Sequence, residues 1–138
     1  MGIDLRLESQ RALLKEFAKL YAELPFTESK QPHFRYYFDN PAYCHSDGIC
    51  LYSMIRHLQP QRIIEIGSGF SSALIHDVRE LFFTSNGGGR QMINSVHVTH
   101  IEPYPALLHS LLKQSDIDSP HTRILPNRLQ EIDLSIFE

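Results

Sequence analysis

Between residues 4 and 24 apolar side chains recur at spacings of three and four. Leu13, Leu14, Phe17, Leu20, Tyr21 and Leu24 stand with Lys15, Glu16, Lys19 and Glu23 between them, which predicts an amphipathic helix. Pro25 ends it. Two roles suit such a helix: packing on its own domain, or capping a pocket or dimer contact. From Pro25 to Cys44 the periodicity lapses and aromatics crowd in: Phe26, Phe34, Tyr36, Tyr37, Phe38 and Tyr43, punctuated by Pro32 and Pro41. Long irregular segments are uncommon inside compact domains and often carry function. The aromatics read either as a lid over a ligand or as tacks fixing a loop to the core. Ser46 reads as the N-cap of a helix over 47–58, with Asp47 in its first turn. Pro60 stops that helix.

The pattern then changes period. Arg62 to Ile66 is a short β-branched run bounded by Pro60 and Gly67, suited to a buried parallel strand. Gly67-Ser68-Gly69 follows, then a helix over about 71–83 with Ala73, Leu74, Ile75, Val78, Leu81 and Phe82 on its apolar side. Three glycines in the 86–90 stretch predict a flexible loop within an insertion over 84–94. Val96 to Glu102 predicts a second strand, Pro103 and Pro105 open another helix, Thr122 to Leu125 predicts a third strand, and Leu129 to Phe137 a last helix. Strands alternating with helices argue for an α/β fold with a parallel sheet wound right-handedly.

Composition narrows the classes. The chain has 138 residues, the size of one domain. Its formal net charge of −3 gives no basic footprint for nucleic acid. No apolar run is long enough to predict a membrane span. The N-terminus lacks the pattern of a secretory signal, and Arg6 stands where a myristoylation signal needs Ser or Thr. Cys44 and Cys50 make no disulfide framework. The expected setting is the cytoplasm.

The segment richest in chemistry is Glu65-Ile66-Gly67-Ser68-Gly69, between a strand and a helix. Glycines there let the backbone turn tightly and approach a ligand, and the amides of Ser71 and Ser72 open the next helix toward it. Glu102 ends the second strand, where an acidic side chain accepts hydrogen bonds from two adjacent ribose hydroxyls. Together these point to a nucleoside-type ligand. A dinucleotide fingerprint would carry a third glycine at position 72, which is serine here. Glu65 would also repel a pyrophosphate, whereas a cationic sulfonium with an amino-acid tail tolerates it.

The run Arg62-Ile63-Ile64-Glu65-Ile66-Gly67-Ser68-Gly69-Phe70-Ser71-Ser72, followed after one helix by Val98-Thr99-His100-Ile101-Glu102, resembles the class I S-adenosylmethionine-dependent methyltransferases. It is most similar to the small bacterial branch with an E-I-G-S-G first motif, and the Ser46-Asp47-Gly48 helix start fits that branch too. The resemblance spans roughly residues 43–133. It implies a Rossmann-like parallel sheet and S-adenosyl-L-methionine as cofactor. Gly67, Ser68 and Gly69 would cradle the methionine end with Ser71 and Ser72 at the helix start, and Glu65 would face its amino group. Glu102 would bind the ribose, Pro103 and Tyr104 would flank the adenine, and Asn127 would meet the adenine edge. Asp47 and Gly48 would close the site. His45 and Asp47 are the candidate bases for methyl transfer to an oxygen or nitrogen of a small-molecule substrate.

The resemblance also carries a departure. The family's sheet has seven strands, and only about three are readable here, so the expectation is a truncated domain. Residues 1–45 would form an N-terminal helix and aromatic cap or lid, and 46–138 the N-terminal half of a cofactor-binding domain. The first strand would be left as an edge, which a second copy or a partner chain would cover. A metal is not expected: Cys44, His45, Asp47 and Cys50 lack a second ligand pair, and His97 and His100, three apart on a strand, point to opposite faces. Two other readings remain open, a nicotinamide-dependent oxidoreductase half and a non-catalytic interaction module.

Overall fold

The computed structural model describes residues 3–83 and 96–138. The glycine-rich stretch at 86–90 and the rest of the predicted 84–94 insertion lie outside the described residues.

The elements run α1 (Leu7–Leu20) with a 3-10 turn at Tyr21–Glu23, α2 (His45–Leu58), β1 (Arg62–Ile66), α3 (Phe70–Phe82), β2 (His97–Ile101), α4 (Ala106–Leu111), α5 (Gln114–Ile117) and β3 (Thr122–Leu125). Two 3-10 turns, Leu129–Glu131 and Leu134–Phe137, follow. The three strands are parallel in the order β1-β2-β3, with Glu65 beside His100 and His100 beside Ile124. The fold is therefore an α/β layer of three parallel strands flanked by helices. Among the described residues β1 pairs only with β2, which leaves its other edge open.

Local chemistry accounts for the differences from the sequence pattern. Helix α1 begins at Leu7 rather than residue 4 because Arg6 takes a left-handed conformation, φ 48°, and donates its N–H to Asp4 Oδ1. Helix α2 begins at His45, and its N-cap is Cys44 rather than Ser46. Cys44 supplies its carbonyl to the Gly48 N–H, and the His45 ring is drawn off to stack on Phe38 at 5.1 Å. The predicted last helix is two 3-10 turns, because Asp133 interrupts it with its side chain accepting from Ser135 N–H. Helix α5 is absent from the sequence reading; Asp116 caps it by accepting from Lys113 N–H.

Helix α1 packs on α2, with Phe17 buried and edge-on to His57. The aromatics of 25–44 act as tacks. Phe26, Tyr36 and Phe38 are buried in one core with Tyr52 and Ile55 of α2, Phe70, Leu74 and Val78 of α3, and Val98 of β2. Phe26 meets Phe34, Tyr36, Phe38 and Tyr52 edge-to-face at 4.9–6.3 Å, contacts worth about 0.5–1.5 kcal/mol each beyond area burial. Gly48 is needed for this packing, since a Cβ there would lie 2.0 Å from the Tyr36 hydroxyl. Among the described residues no helix is long and apolar enough to cross a membrane.

Candidate functional site

The turn that leaves β1 is built around one backbone requirement. Gly67 has φ 78°, a conformation that side chains strain against, and its N–H donates to the Ile101 carbonyl at 3.0 Å, tying the turn to β2. A Cβ at Gly67 would meet no atom within 4 Å, so its outer side is open. Gly69 hands the chain to α3, and its N–H donates to the Ser72 hydroxyl at 3.0 Å. Ser72 is fully buried and occupies the slot where a dinucleotide turn has glycine.

Two carboxylates flank this turn. Glu65 accepts from the hydroxyls of Ser71 and Ser72, and its Oε2 lies 2.7 Å from His100 Nδ1. Glu102 Oε2 accepts from Ser68 N–H at 3.1 Å, and Oε1 from Tyr104 N–H at 2.8 Å. Ile66, Tyr104 and Leu107 form an exposed apolar rim, and Leu107 reaches to within 3.6 Å of a Cβ built on Gly69. The structure thus gathers Glu65, Gly67, Ser68, Gly69, Ser71, Ser72, Glu102, Pro103 and Tyr104 at the carboxyl ends of β1 and β2.

The other predicted residues are elsewhere or otherwise engaged. Asn127 lines a separate depression with Arg123, Leu125, Glu131 and Ile132, and no residue of the glycine turn borders it. His45 is exposed and pairs with Glu28 at 3.0 Å. Asp47 is exposed in the first turn of α2. Burial pushes the Tyr43 hydroxyl up, and the negative charges of Asp47 and Glu65 add to that rise.

Behind the turn lies a buried polar chain that the sequence reading missed. His100 Nε2 is 3.0 Å from His76 Nε2, the rings stacked with centroids 5.2 Å apart. His76 Nδ1 then faces Asp116 Oδ1 at 3.5 Å. Asp116 takes both arms of the Arg35 guanidinium at 2.7 Å, and Arg35 also holds Asp77 at 2.6 Å and Glu80 at 2.7 Å. Asp77 in turn accepts the backbone N–H groups of Arg35 and Tyr36. Burial drives His76 down to about 4. Burial alone would raise Asp116, but Arg35, bonded to both of its oxygens, outweighs it and holds that carboxyl well below its usual range. Burial keeps Asp77 raised despite its donors.

A signal for this chain existed. Ser72, His76, Asp77, Arg79 and Glu80 recur as polar positions among the apolar ones of α3, and His100 sits inside a β-branched run. His97 and His100 do face opposite ways: His97 meets His121 at 3.3 Å while His100 meets His76.

No family model matches the chain, and no solved structure matches it. An uncharacterised protein of Archaeoglobus fulgidus is similar, 29% identical over 140 residues that cover all of this chain and 58% of that protein. The chain thus spans 58% of the length of this curated relative.

Proposed function

We propose that the glycine turn binds S-adenosyl-L-methionine, and that the chain is the cofactor-binding part of a class I methyltransferase acting on an oxygen or nitrogen of a small molecule. The observation that carries this reading is the open space at Gly67 with a carboxylate on each side. A carboxylate offers about four lone-pair positions. Glu102 uses two on backbone N–H groups, so two remain, the number that a ribose diol donates to. Glu65 uses three, which leaves one for an ammonium group or its water. Ile66, Tyr104 and Leu107 supply apolar cover for a purine. The buried, doubly engaged Ser72 and the negative Glu65 disfavour a dinucleotide.

When bound, the cofactor supplies an activated methyl carbon for in-line displacement. The chain's residues hold and orient its polar ends and exclude water from them. His45 and Asp47 remain the candidate bases. The open edge of β1 and the exposed Ile66 suit a further strand, from this polypeptide or another chain, and the methyl acceptor would be recognised there. Two exposed free thiols, Cys44 and Cys50, suit a reducing cytoplasm.

A second reading, a non-catalytic module, is favoured by one observation: both carboxylates already satisfy internal donors, so the turn is self-sufficient as scaffold. Calorimetry separates the readings. Binding of S-adenosylhomocysteine but not NAD supports the first, NAD alone supports an oxidoreductase half, and neither by a folded chain supports the module. Glu102→Ala removes two charge-assisted bonds of about 1.5–3 kcal/mol each and should weaken S-adenosylhomocysteine by about 100-fold or more. Unchanged affinity in a folded variant removes the ribose assignment.

A further inference from the structure

The polar chain behind the turn holds one proton fewer than its geometry accommodates. Its ends, Glu65 and Asp116, accept hydrogen bonds as carboxylates. His100 Nδ1, 2.7 Å from Glu65 Oε2, therefore carries a hydrogen. A neutral imidazole has one N–H, so His100 Nε2 is bare, and the hydrogen between the two rings belongs to His76 Nε2. His76 Nδ1 is then bare too. It faces Asp116 Oδ1 at 3.5 Å and is buried without a hydrogen-bond partner. Reversing every donor merely moves the mismatch to the other end, where a bare His100 Nδ1 would face Glu65. Only a third N–H, one imidazolium shared by the pair, satisfies both carboxylates.

The surrounding charges set when that third hydrogen is present. His76 is faced by Asp116 of α5, by Arg79 of its own helix, by His100 of β2 and, through Asp116, by Arg35. His100 is faced by Glu65 of β1, which also holds Ser71 and Ser72 of α3. Burial, then Arg79 and His100, oppose a cation on His76, while Asp116 favours it. With His76 driven down to about 4, its ring is neutral near pH 7 and the mismatch at Asp116 stands.

We propose that the His76–His100 pair is a one-proton store coupled to Glu65, filled from solvent and emptied when a cationic group occupies the glycine turn. Filling takes a proton from hydronium, forms the missing N–H on His76 Nδ1, and leaves one net negative charge on four groups that carried two. The Glu65 side chain is the access route, 10% exposed against 0% for both imidazoles. A cation in the turn and an imidazolium behind it compete for the same carboxylate, so each disfavours the other reciprocally. The cationic occupant rests on the cofactor reading above; the store itself does not.

Nitrogen-15 NMR of the imidazole rings, on the full chain, tests it. Near pH 7 His100 should be protonated at Nδ1 and His76 at Nε2. On acidification both rings should shift together with one midpoint and one proton. In Glu65→Gln, which keeps an oxygen for His100 Nδ1–H but removes the charge, that midpoint should fall by about 1–3 pH units or vanish before acid unfolding. In His76→Asn the joint transition should disappear. Saturating S-adenosylhomocysteine, whose ammonium group would meet Glu65, should lower the wild-type midpoint. Two independent midpoints, rings that stay neutral down to acid unfolding, or a midpoint unmoved in folded Glu65→Gln would overturn the store. Saturation that leaves the midpoint in place would overturn its coupling to the turn. If S-adenosylhomocysteine does not bind, the cofactor reading fails, and the ring titration still decides the store.

Discussion

Arg35 is the most informative residue to remove. Its side chain is 2% exposed and makes four short bonds, two to Asp116 and one each to Asp77 and Glu80. Arg35→Met keeps an unbranched apolar stem and deletes the charge, the donors and the volume of the guanidinium. Asp77, 1% exposed, would then be a buried carboxylate facing no guanidinium, and Asp116, 7% exposed, would keep only the more distant Arg79 at 3.7 Å. Breaking a buried ion pair by removing one partner costs about 3–5 kcal/mol. A domain of this size is stable by about 5–15 kcal/mol, so the variant should fold but sit near its limit. With a urea slope of about 2 kcal/mol per molar, the unfolding midpoint should drop by about 2 M.

The pH dependence sharpens this test because the sign of the Asp116 contribution reverses. In the wild type Asp116 is held below its unfolded value, so its contribution is complete above about pH 4 and is lost as pH falls through the lower folded value. Asp77, already raised by burial in the wild type, rises further in Arg35→Met, and Asp116 loses the guanidinium that opposed its burial, so its folded value moves above the unfolded one. The folded state then binds protons first, so stability should increase as pH falls from 7 toward 5. Urea melts at pH 7 and pH 5 measure both effects. A midpoint within about 0.5 M of wild type at pH 7, with no change in pH slope, would refute the claim that these carboxylates are desolvated and depend on Arg35.

Other outcomes follow from single positions. Gly67→Ala should cost about 1–2 kcal/mol in thermal unfolding, since residue 67 sits at φ 78°; because its Cβ projects into open space, the folded variant should also lose S-adenosylhomocysteine binding. Gly48→Ala should cost about 1–3 kcal/mol by overpacking against the Tyr36 hydroxyl. Adding Tyr36→Phe should recover part of that loss, although Tyr36→Phe alone costs about 1 kcal/mol through its bond to the Tyr43 carbonyl. Strictly additive losses in denaturant melts would show that the hydroxyl is not what Gly48 accommodates. Leu74→Ala, at a fully buried position of α3, should cost about 2–5 kcal/mol and serves as the core reference for both.

The parallel sheet was legible because its strands are short β-branched runs fenced by proline and glycine, and β3 begins and ends where the pattern placed it. Helix starts were less legible because the deciding events are single conformations and distant partners. The left-handed turn at Arg6 and the stacking of His45 on Phe38 leave no periodic trace. The glycine turn was readable since the backbone need at Gly67 and the acids at 65 and 102 are local. The His76–His100–Asp116 chain was not, because its members come from three elements joined only by folding. Asn127 shows the converse: position after a strand suggested a shared site, but that end of β3 opens into a different depression.

Helix α3 explains why so much polarity is buried here. One side of it carries Ala73, Leu74 and Val78 into the core, while Ser72, His76, Asp77 and Arg79 present polar atoms to β1, β2, the 25–44 segment and β3. Through them α3 grips the turn by Glu65 and the irregular 25–44 segment by Arg35, and His76 and Arg79 face Asp116 of α5 at 3.5 and 3.7 Å. Apolar replacements of equal volume would hold a core as well or better, since desolvating charges is costly. What apolar contacts lack is direction. A guanidinium fork accepts one arrangement of two carboxylates, so Arg35 fixes where α5 lies on α3, and thereby where Asp116 meets His76. His76 in turn sets which nitrogen of His100 faces Glu65. The orientation of the carboxylate at the open turn is therefore specified from the N-terminal segment inward, by a line of groups whose donors and acceptors match at every step except the bare nitrogen of His76.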